Sequence, residues 1–417
     1  MSQEINQEIN QNIKIIKGNI TSPIGFKTSG NAIGLKKNGN KDMAIILSDK
    51  PCKGAGVFTT NLVKAAPVYW DMNNINNDIN AIVVNSGNAN ACTGEKGQED
   101  TEAMAKEVAT LINAKAENVL VCSTGVIGVN LPMDIVLKGI RSTYNNCGYT
   151  YEHGFAAATA IMTTDTIDKQ IAVTINIGGK PVTIGAMAKG SGMINPNMAT
   201  MLCFITTDCN ISKELLDKAL KDSVNDSFNM ICVDGDMSTN DSVICIANGM
   251  AENDEINQEG DNYNLFKEAL MYVNKSLAIA CVDDGEGATK LIEATVKQAC
   301  TKDDARKIAL SVVSSSLFKA AIFGEDANWG RVLCAMGYSK GRFDPLAVSI
   351  IFRSELGNIM LMDRGKPINF DEEVASQVLK AHKINVDIYL NDGECEAVAW
   401  GCDLTYDYVK INGDYRS

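Results

Sequence analysis

Histidine is nearly missing from this chain: His153 and His382 are the only two in 417 residues. So little imidazole leaves hardly any room for a Ser-His-Asp or Cys-His arrangement, so the base of any reaction has to be another group. His153, in "YEHGF", reads as a surface or capping residue. Paired cysteine is missing too, because the thirteen cysteines are odd in number and contain no C-x-x-C. That excludes a disulfide framework or a zinc ribbon and places the chain in a reducing cytoplasm. Positive charge is in deficit, with 38 Lys and Arg against 51 Asp and Glu and a formal net charge of -13. Nucleic acid and anionic membranes reward clustered Lys and Arg, so neither is expected as a partner. No run of about 18 apolar residues occurs, and "MSQEINQEINQNIKIIKGN" has no apolar core of the kind a signal peptide needs.

What is present is an alternation of strand and helix patterns long enough for two or three domains. Residues 1 to about 20 read as a polar tail that is not packed until Ile15 and Ile16. "MAIILS" (Met43 to Ser48) and "NAIVVNSG" (Asn80 to Gly87) read as strands, and Met104, Ala105, Val108, Leu111 and Ile112 recur at helical spacing. Ile171, Val173, Ile175 and Ile177 alternate and run through Gly178-Gly179 into "KPVTIGAMA", a β-hairpin. Ser212 is placed to cap a helix carrying Leu215, Leu216, Ala219, Leu220 and Val224 on one face. A further helix is expected around Leu265 to Val273, after an acidic loop over Ala251 to Asn264. Near the carboxyl end, Asn391-Asp392-Gly393 joins two alternating runs as an expected hairpin. The organisation expected is a main α/β domain over 21–289 and a smaller α/β domain over 290–417.

The stretch "KGSGMINPNMATMLCFITTD", Lys189 to Asp208, holds the chemistry. Strand parity puts Thr200, Leu202, Phe204 and Thr206 on one face, and Ala199, Met201, Cys203 and Ile205 on the other. One reading is a core strand with a tolerated hydroxyl. The other starts from Asn195-Pro196-Asn197, a turn able to strain the following peptide. Attack by the Thr200 hydroxyl on the Ala199 carbonyl would convert the peptide to an ester, and hydrolysis would leave Thr200 with a free α-amine. Such an amine titrates at about 7.7 to 8.0 and supplies the base that histidine does not. "DDGEGATK" fits neither dinucleotide nor P-loop spacing, and Asp234, Asp236 and Asp241 of "DGDMSTND" do not fit a Ca²⁺ loop, so these aspartates read as caps or a polar site wall and no metal is expected.

Nine segments in order resemble the ornithine acetyltransferase family, also called glutamate N-acetyltransferase. They are "KGAGVFTTN", "NSGNANACTG", "STGVIG", "MTTDT", "KGSGMINPNMATML", "DGDMSTND", "DGEGATK", "FGEDANWGR" and the terminal "INGDYRS". The resemblance implies an α/β fold of layered sheets flanked by helices, the αββα arrangement of amino-terminal-nucleophile proteins, whose carboxyl-terminal tail returns to the active site. It implies self-cleavage between Ala199 and Thr200 into chains 1–199 and 200–417, assembled as two of each. Thr200 is the implied nucleophile, Thr124 and Gly125 the oxyanion hole, and Thr163, Lys189, Thr200, Glu286, Asn412 and Ser417 the substrate contacts. The implied reaction carries the acetyl group of N-acetylornithine through an acetyl-threonine to glutamate, in arginine biosynthesis, without a cofactor. Acetyl-CoA as a second donor, a hydrolase using the same nucleophile with water as acceptor, and a non-catalytic binding protein stand beside it as alternatives.

Overall fold

The computed structural model describes residues 10–195 and 201–414. Ala199, Thr200 and Ser417 therefore lie outside the described residues. In chain order the first strands are β1 (Lys14–Ile16), β2 (Phe26–Asn31), β3 (Met43–Phe58), β4 (Ile79–Asn88), β5 (Val119–Val126), β6 (Lys169–Ile177), β7 (Lys180–Lys189), β8 (Leu202–Thr207), β9 (Ile231–Cys232) and β10 (Ser242–Ala247). Among them run the helices α1 (Ala66–Asn74), α2 (Gly94–Ile112), α3 (Met133–Asn145), α4 (Tyr151–Ile161), α5 (Lys213–Asn225) and, after β10, α6 (Asp261–Asp283). All of these strands except β9 form one nine-stranded sheet, in the order β1-β6-β7-β8-β10-β3-β4-β5 with β2 paired to β3.

The long strand β3 makes this sheet two layers. Its first part, Met43 to Leu47, pairs with β2 and β4, and its last part, Lys53 to Phe58, pairs with β10. The register breaks between Leu47 and Cys52, and such a break bends a strand. The sheet thereby folds over on itself. Strand parity then sorts the apolar residues into three layers of core. Ala44, Ile46, Ile82, Val84 and Leu120 face Met187, Leu202, Phe204, Ile244 and Ile246 from the other half-sheet. Their alternates Ile45, Leu47, Val83 and Val121 pack on Met104, Ala105 and Val108 of α2 and Ile140 of α3. On the opposite outer face Val173, Ile184, Cys203 and Ile205 pack on α5 and α6. The result is helix, sheet, sheet, helix, an α/β fold of mixed sheets flanked by helices.

The remaining strands are β11 (Leu291–Ala299), β12 (Ser349–Ser354), β13 (Gly357–Asp363), β14 (Lys366–Pro367), β15 (Lys383–Tyr389) and β16 (Cys395–Cys402). With β9 they form a seven-stranded sheet ordered β14-β13-β12-β15-β11-β16-β9. Helices α7 (Lys302–Val313), α8 (Ser316–Phe323), α9 (Trp329–Gly337) and α10 (Glu372–Leu379) belong to this part, and α11 (Tyr406–Asp414) closes the described chain.

Several expectations meet their elements directly. The hairpin is β6 and β7, paired antiparallel through Gly178-Gly179, and the Ser212 hydroxyl accepts from the Leu215 amide at the start of α5. Three differ. The runs on either side of Asn391-Asp392-Gly393 are not a hairpin: β15 lies parallel on one side of β11 and β16 antiparallel on the other. The connection passes over the end of β11, where a Cβ on Gly393 would meet the Ala299 carbonyl at 2.3 Å. Strand β11, with Ile292, Ala294 and Val296 fully buried, takes the place between the two arms that a hairpin would have denied it. The helix expected over 265–273 runs from Asp261 to Asp283, because apolar positions continue through Leu277, Ala278, Cys281 and Val282. At the end of the stretch read as a tail, Lys14–Ile16 adds an edge strand to β6, in keeping with packing from Ile15 and Ile16, and Ile20 is fully buried.

Because α6 carries the outer face of the first sheet and touches β16 of the second, its core residues serve both. Phe266 is fully buried there. Phe266→Ala should cost about 3–5 kcal/mol, read as a lower urea midpoint with an unchanged slope, while a substitution at the neighbouring Lys267 should stay within about 0.5 kcal/mol.

Candidate active site

Strand β5 ends in "STGV", and its last residues are held by the strand beside it. The Ser123 hydroxyl donates to the Asn85 side-chain carbonyl at 2.6 Å, and the Asn85 amide donates to the Asn88 carbonyl at 2.8 Å. Pairing between β4 and β5 breaks at Gly87 and Asn88, directly opposite Thr124 and Gly125. Gly125 has φ +131, and a Cβ there would lie 2.4 Å from the Gly87 carbonyl carbon. Only glycine suits that position, which turns the backbone away from its regular ladder. Thr124 itself is buried.

Lys189, the last residue of β7, reaches across to this strand end. It is buried, and its ammonium stands 3.4 Å from the Thr124 hydroxyl. The next residue, Gly190, donates its amide to Asp165 at 2.7 Å. Asp165 also accepts the Thr163 amide at 3.0 Å and the Lys169 ammonium at 2.7 Å. Lys169 has no solvent exposure in its side chain and makes a second ion pair with Asp284 at 2.6 Å. Asp284 accepts the Thr166 amide and hydroxyl, and its own carbonyl accepts the Ser191 hydroxyl at 2.6 Å. The Glu286 amide donates to the Ser191 carbonyl at 2.9 Å, and Asn412 of α11 donates to the Glu286 carboxylate at 2.8 Å.

Thr163, Lys189, Thr124, Glu286 and Asn412 are thereby joined through Asp165, Lys169, Asp284 and Ser191. Helix α11 is docked on the same region: the Tyr408 hydroxyl donates to Asp234 at 3.2 Å and the Thr405 hydroxyl to the Gly287 carbonyl at 2.7 Å. Asp234 further accepts the amides of Met193 and Ile194 at 2.6 and 3.0 Å, leading into the segment before residue 196. Asp241 accepts the amide of Met201, where description resumes, at 2.7 Å. Asp234 and Asp241 thus act as backbone caps, as their spacing suggests. Two clefts flank this network. One of about 470 Å³ is lined by Thr166, Asp284, Gly287, Lys410 and Ile411, and one of about 350 Å³ by Lys36, Lys41, Met162, Thr163 and Asp165.

Charge in the network follows its burial. Burial alone would raise the Asp165 carboxyl, yet Lys189 and Lys169 and the hydrogen bonds from Lys169 and Thr163 outweigh it and bring the carboxyl down to about 2. Burial would lower the Lys169 ammonium, and Asp165 and Asp284 reverse that and raise it. Burial pulls Lys36 down to about 8, with Asp42 opposing and Lys189 adding to the fall. Neither histidine joins the network: His153 pairs with the Thr150 hydroxyl, and His382 bridges Asp283 and the Thr289 carbonyl. Among the described residues no cluster of three or more His, Cys, Asp or Glu is arranged to hold a metal ion. Nor, among them, is any helix long and apolar enough to cross a membrane.

Asp165, Lys169 and Asp284 were not singled out by the sequence. Asp165 and Lys169 sit four apart, but beside them in the sequence nothing signals Asp284, which is 115 residues from Lys169.

The ArgJ family matches residues 27–417. A protein of Caldanaerobacter subterraneus subsp. tengcongensis named arginine biosynthesis bifunctional protein ArgJ is 53% identical over 97% of this chain and 100% of its own. Among solved structures, an arginine biosynthesis bifunctional protein argJ from Bacillus halodurans is 43% identical, covering 51% of this chain and 98% of its own, with a TM-score of 0.49. An ornithine acetyltransferase complexed with ornithine, from Mycobacterium tuberculosis, is 38% identical over 45% of this chain and 99% of its own, with a TM-score of 0.41.

Lys169→Met should leave two buried carboxylates without their cation, a loss of about 3–5 kcal/mol. In the parent, Asp165 has a depressed folded value, so its contribution is complete above the unfolded value of about 3.9 and is lost as pH falls through about 2. Urea unfolding followed from pH 7 to pH 2 should show that acid-side loss in the parent, and in Lys169→Met a deficit already present at pH 7.

Proposed function

The chain belongs to the ArgJ family, and on that premise we propose that it is a self-processing acetyltransferase that moves the acetyl group of N-acetylornithine to glutamate through an acetyl-Thr200 intermediate. Its curated relatives carry arginine biosynthesis in their name. The observation that supports the chemistry is the buried meeting of Lys189 and Thr124 at 3.4 Å, beside a Gly125 that only a Cβ-free residue can occupy. Strand β7 ends at Lys189, which lies opposite Leu202 at the start of its antiparallel partner β8.

In this reading the Ala199–Thr200 peptide is first opened, giving Thr200 a free α-amine. That amine takes the proton of the Thr200 hydroxyl as the oxygen attacks the acetyl carbonyl carbon. The oxyanion that forms is held by the Thr124 hydroxyl and the Gly125 amide, donors worth about 2.7–4 kcal/mol each at such sites. Collapse breaks the C–N bond, and the proton leaves with ornithine as its amine. The amine of glutamate then attacks the acetyl ester by the same route, returning the proton to the threonine oxygen.

Lys189 is a fitting partner for a substrate carboxylate. Glu286, held by Asn412, suits the substrate's amine, and Thr163 and Ser417 complete the proposed contacts. The proposal extends to acetyl-CoA as a second donor, to a main domain over 21–289 with a smaller one over 290–417, to an assembly of two chains 1–199 and two chains 200–417, and to the cytoplasm.

Denatured intact mass of the purified protein beside Thr200→Ala tests it. Two fragments meeting at 199/200 in the parent, one uncut chain in the variant, and an added acetyl mass on the 200–417 fragment after N-acetylornithine and acid quench are expected. An uncut parent, or a cut parent that releases acetate without acetylating glutamate, overturns it, the latter in favour of a hydrolase.

A further inference from the structure

The acetyl-transfer steps leave one cation of the Thr163 cleft without a task. Lys36 lines that cleft of about 350 Å³ and is held there from both ends. At its backbone, the fully buried Asp42 accepts the amides of Ile33, Gly34, Leu35 and Lys36 at 2.6, 3.2, 2.7 and 2.9 Å, which fixes the loop that carries it. At its tip, the ammonium donates to the Lys41 and Met162 carbonyls, both at 2.7 Å. Its stem lies against Gly87, where a Cβ would approach Lys36 Cγ to 3.2 Å, and Gly87 is the register partner of Gly125. Two backbone carbonyls give the ammonium only partial charges. Of the full charges acting on it, Asp42 is engaged by four amides, Asp165 is shared with Lys169 and the Gly190 amide, and Lys189 repels it. Lys41, whose ammonium donates to the Gly30 carbonyl at 2.7 Å, lines the same cleft. A chain of net charge -13 thus sets two lysines in one cleft, with Lys189 near enough to act on the first. A cleft of one sign of charge draws the opposite ion.

The two amino acids of the proposed reaction share a carboxylate beside the reacting amine and differ at the far end, where ornithine ends in an ammonium and glutamate in a carboxylate. Glu286 suits the first and repels the second. With Lys189 matched to the carboxylate that both share, the second carboxylate of glutamate needs a cation of its own. We propose that Lys36 selects the acceptor: in the cleft it shares with Thr163 and Lys41, its ammonium takes the side-chain carboxylate of glutamate. This rests on the acetyl-transfer reading above. A lysine ammonium has three donors; the Lys41 and Met162 carbonyls take two, and the third serves a carboxylate oxygen as a charge-assisted hydrogen bond. Because Thr163 directly follows Met162, the carbonyl that steadies Lys36 also sets its distance from a proposed substrate contact. Opposite charges on different elements, Glu286 after α6 and Lys36 before β3, then let two substrates of opposite side-chain charge take turns at one nucleophile.

The test measures acetyl transfer from N-acetylornithine to glutamate and to glutamine, its uncharged isostere, in the parent, Lys36→Met and Asn40→Asp. Formation of the acetyl-enzyme is common to both acceptors, so the ratio of their kcat/KM values cancels any change in that step or in the folded fraction. The parent should favour glutamate, and in Lys36→Met the ratio should fall by about tenfold or more. Asn40→Asp sets a carboxylate on the exposed rim of the same cleft. It should lower the ratio about threefold, and it decides the matter if Lys36→Met does not fold. A parent without preference for glutamate overturns the inference. So does a parental ratio in folded Lys36→Met, whether both rates hold or both fall together, which would leave Lys36 as a brace between two carbonyls. If the parent acetylates neither acceptor and only releases acetate, the acetyl-transfer reading itself has failed. If it acetylates glutamate while Lys36→Met keeps the parental ratio, only the acceptor subsite has.

Discussion

The buried ammonium of Lys169, lying between the carboxylates of Asp165 and Asp284, is the interaction on which the site depends. Neither carboxylate is needed for packing, and each is surrounded by groups it must share. Asp165 gathers the amides of Thr163 and Gly190, which fixes the loop after α4 against the end of β7. Asp284 gathers Thr166 and, through its carbonyl, Ser191, which fixes the end of α6 against the chain leading to residue 196. One cation with two anions is thus the knot between three chain segments. Three buried charges are costly to desolvate, and they hold because each is both paired and hydrogen-bonded.

That knot explains how Lys189 comes to meet Thr124. A lysine at the end of a buried strand would ordinarily turn its charge towards water. Here Gly190 is pinned by Asp165, and Lys189 is carried into the space beside Thr124, with Asp165 near enough to balance its charge. The glycine at 125 and the register break at Gly87 and Asn88 prepare the other side of the same space. Both sheet halves thus line the one space.

How much of this could be read from the residues depends on range. The parity of Leu202 and Phe204 against Cys203 and Ile205 was legible because strand geometry is local, and the two sets do enter two different cores. The capping role of Ser212 was legible for the same reason. Asn391-Asp392-Gly393 misled because turn chemistry describes only the turn, and says nothing of a third strand, β11, that inserts between its arms. The helix expected around Leu265 to Val273 continues because Leu277, Ala278, Cys281 and Val282 carry its apolar face past Asn274-Lys275-Ser276. Lys189 and Thr124 were marked by motif resemblance, but their contact spans 65 residues, and the Lys169–Asp284 ion pair beneath them spans 115. Contacts of that span are products of the folded sheet order and have no local signature.

The strand order carries a last consequence. In the run β7-β8-β10-β3, the two strands that follow residue 200 lie between two that precede it. A chain opened between 199 and 200 would therefore be interleaved, with β8 laddered to β7 on one side and β10 to β3 on the other. The pieces could part only by tearing two ladders and the core between the half-sheets. Opened or whole, the molecule unfolds as one body, but once opened it must find its partner again by diffusion, so its refolding would depend on concentration where that of the uncut precursor would not.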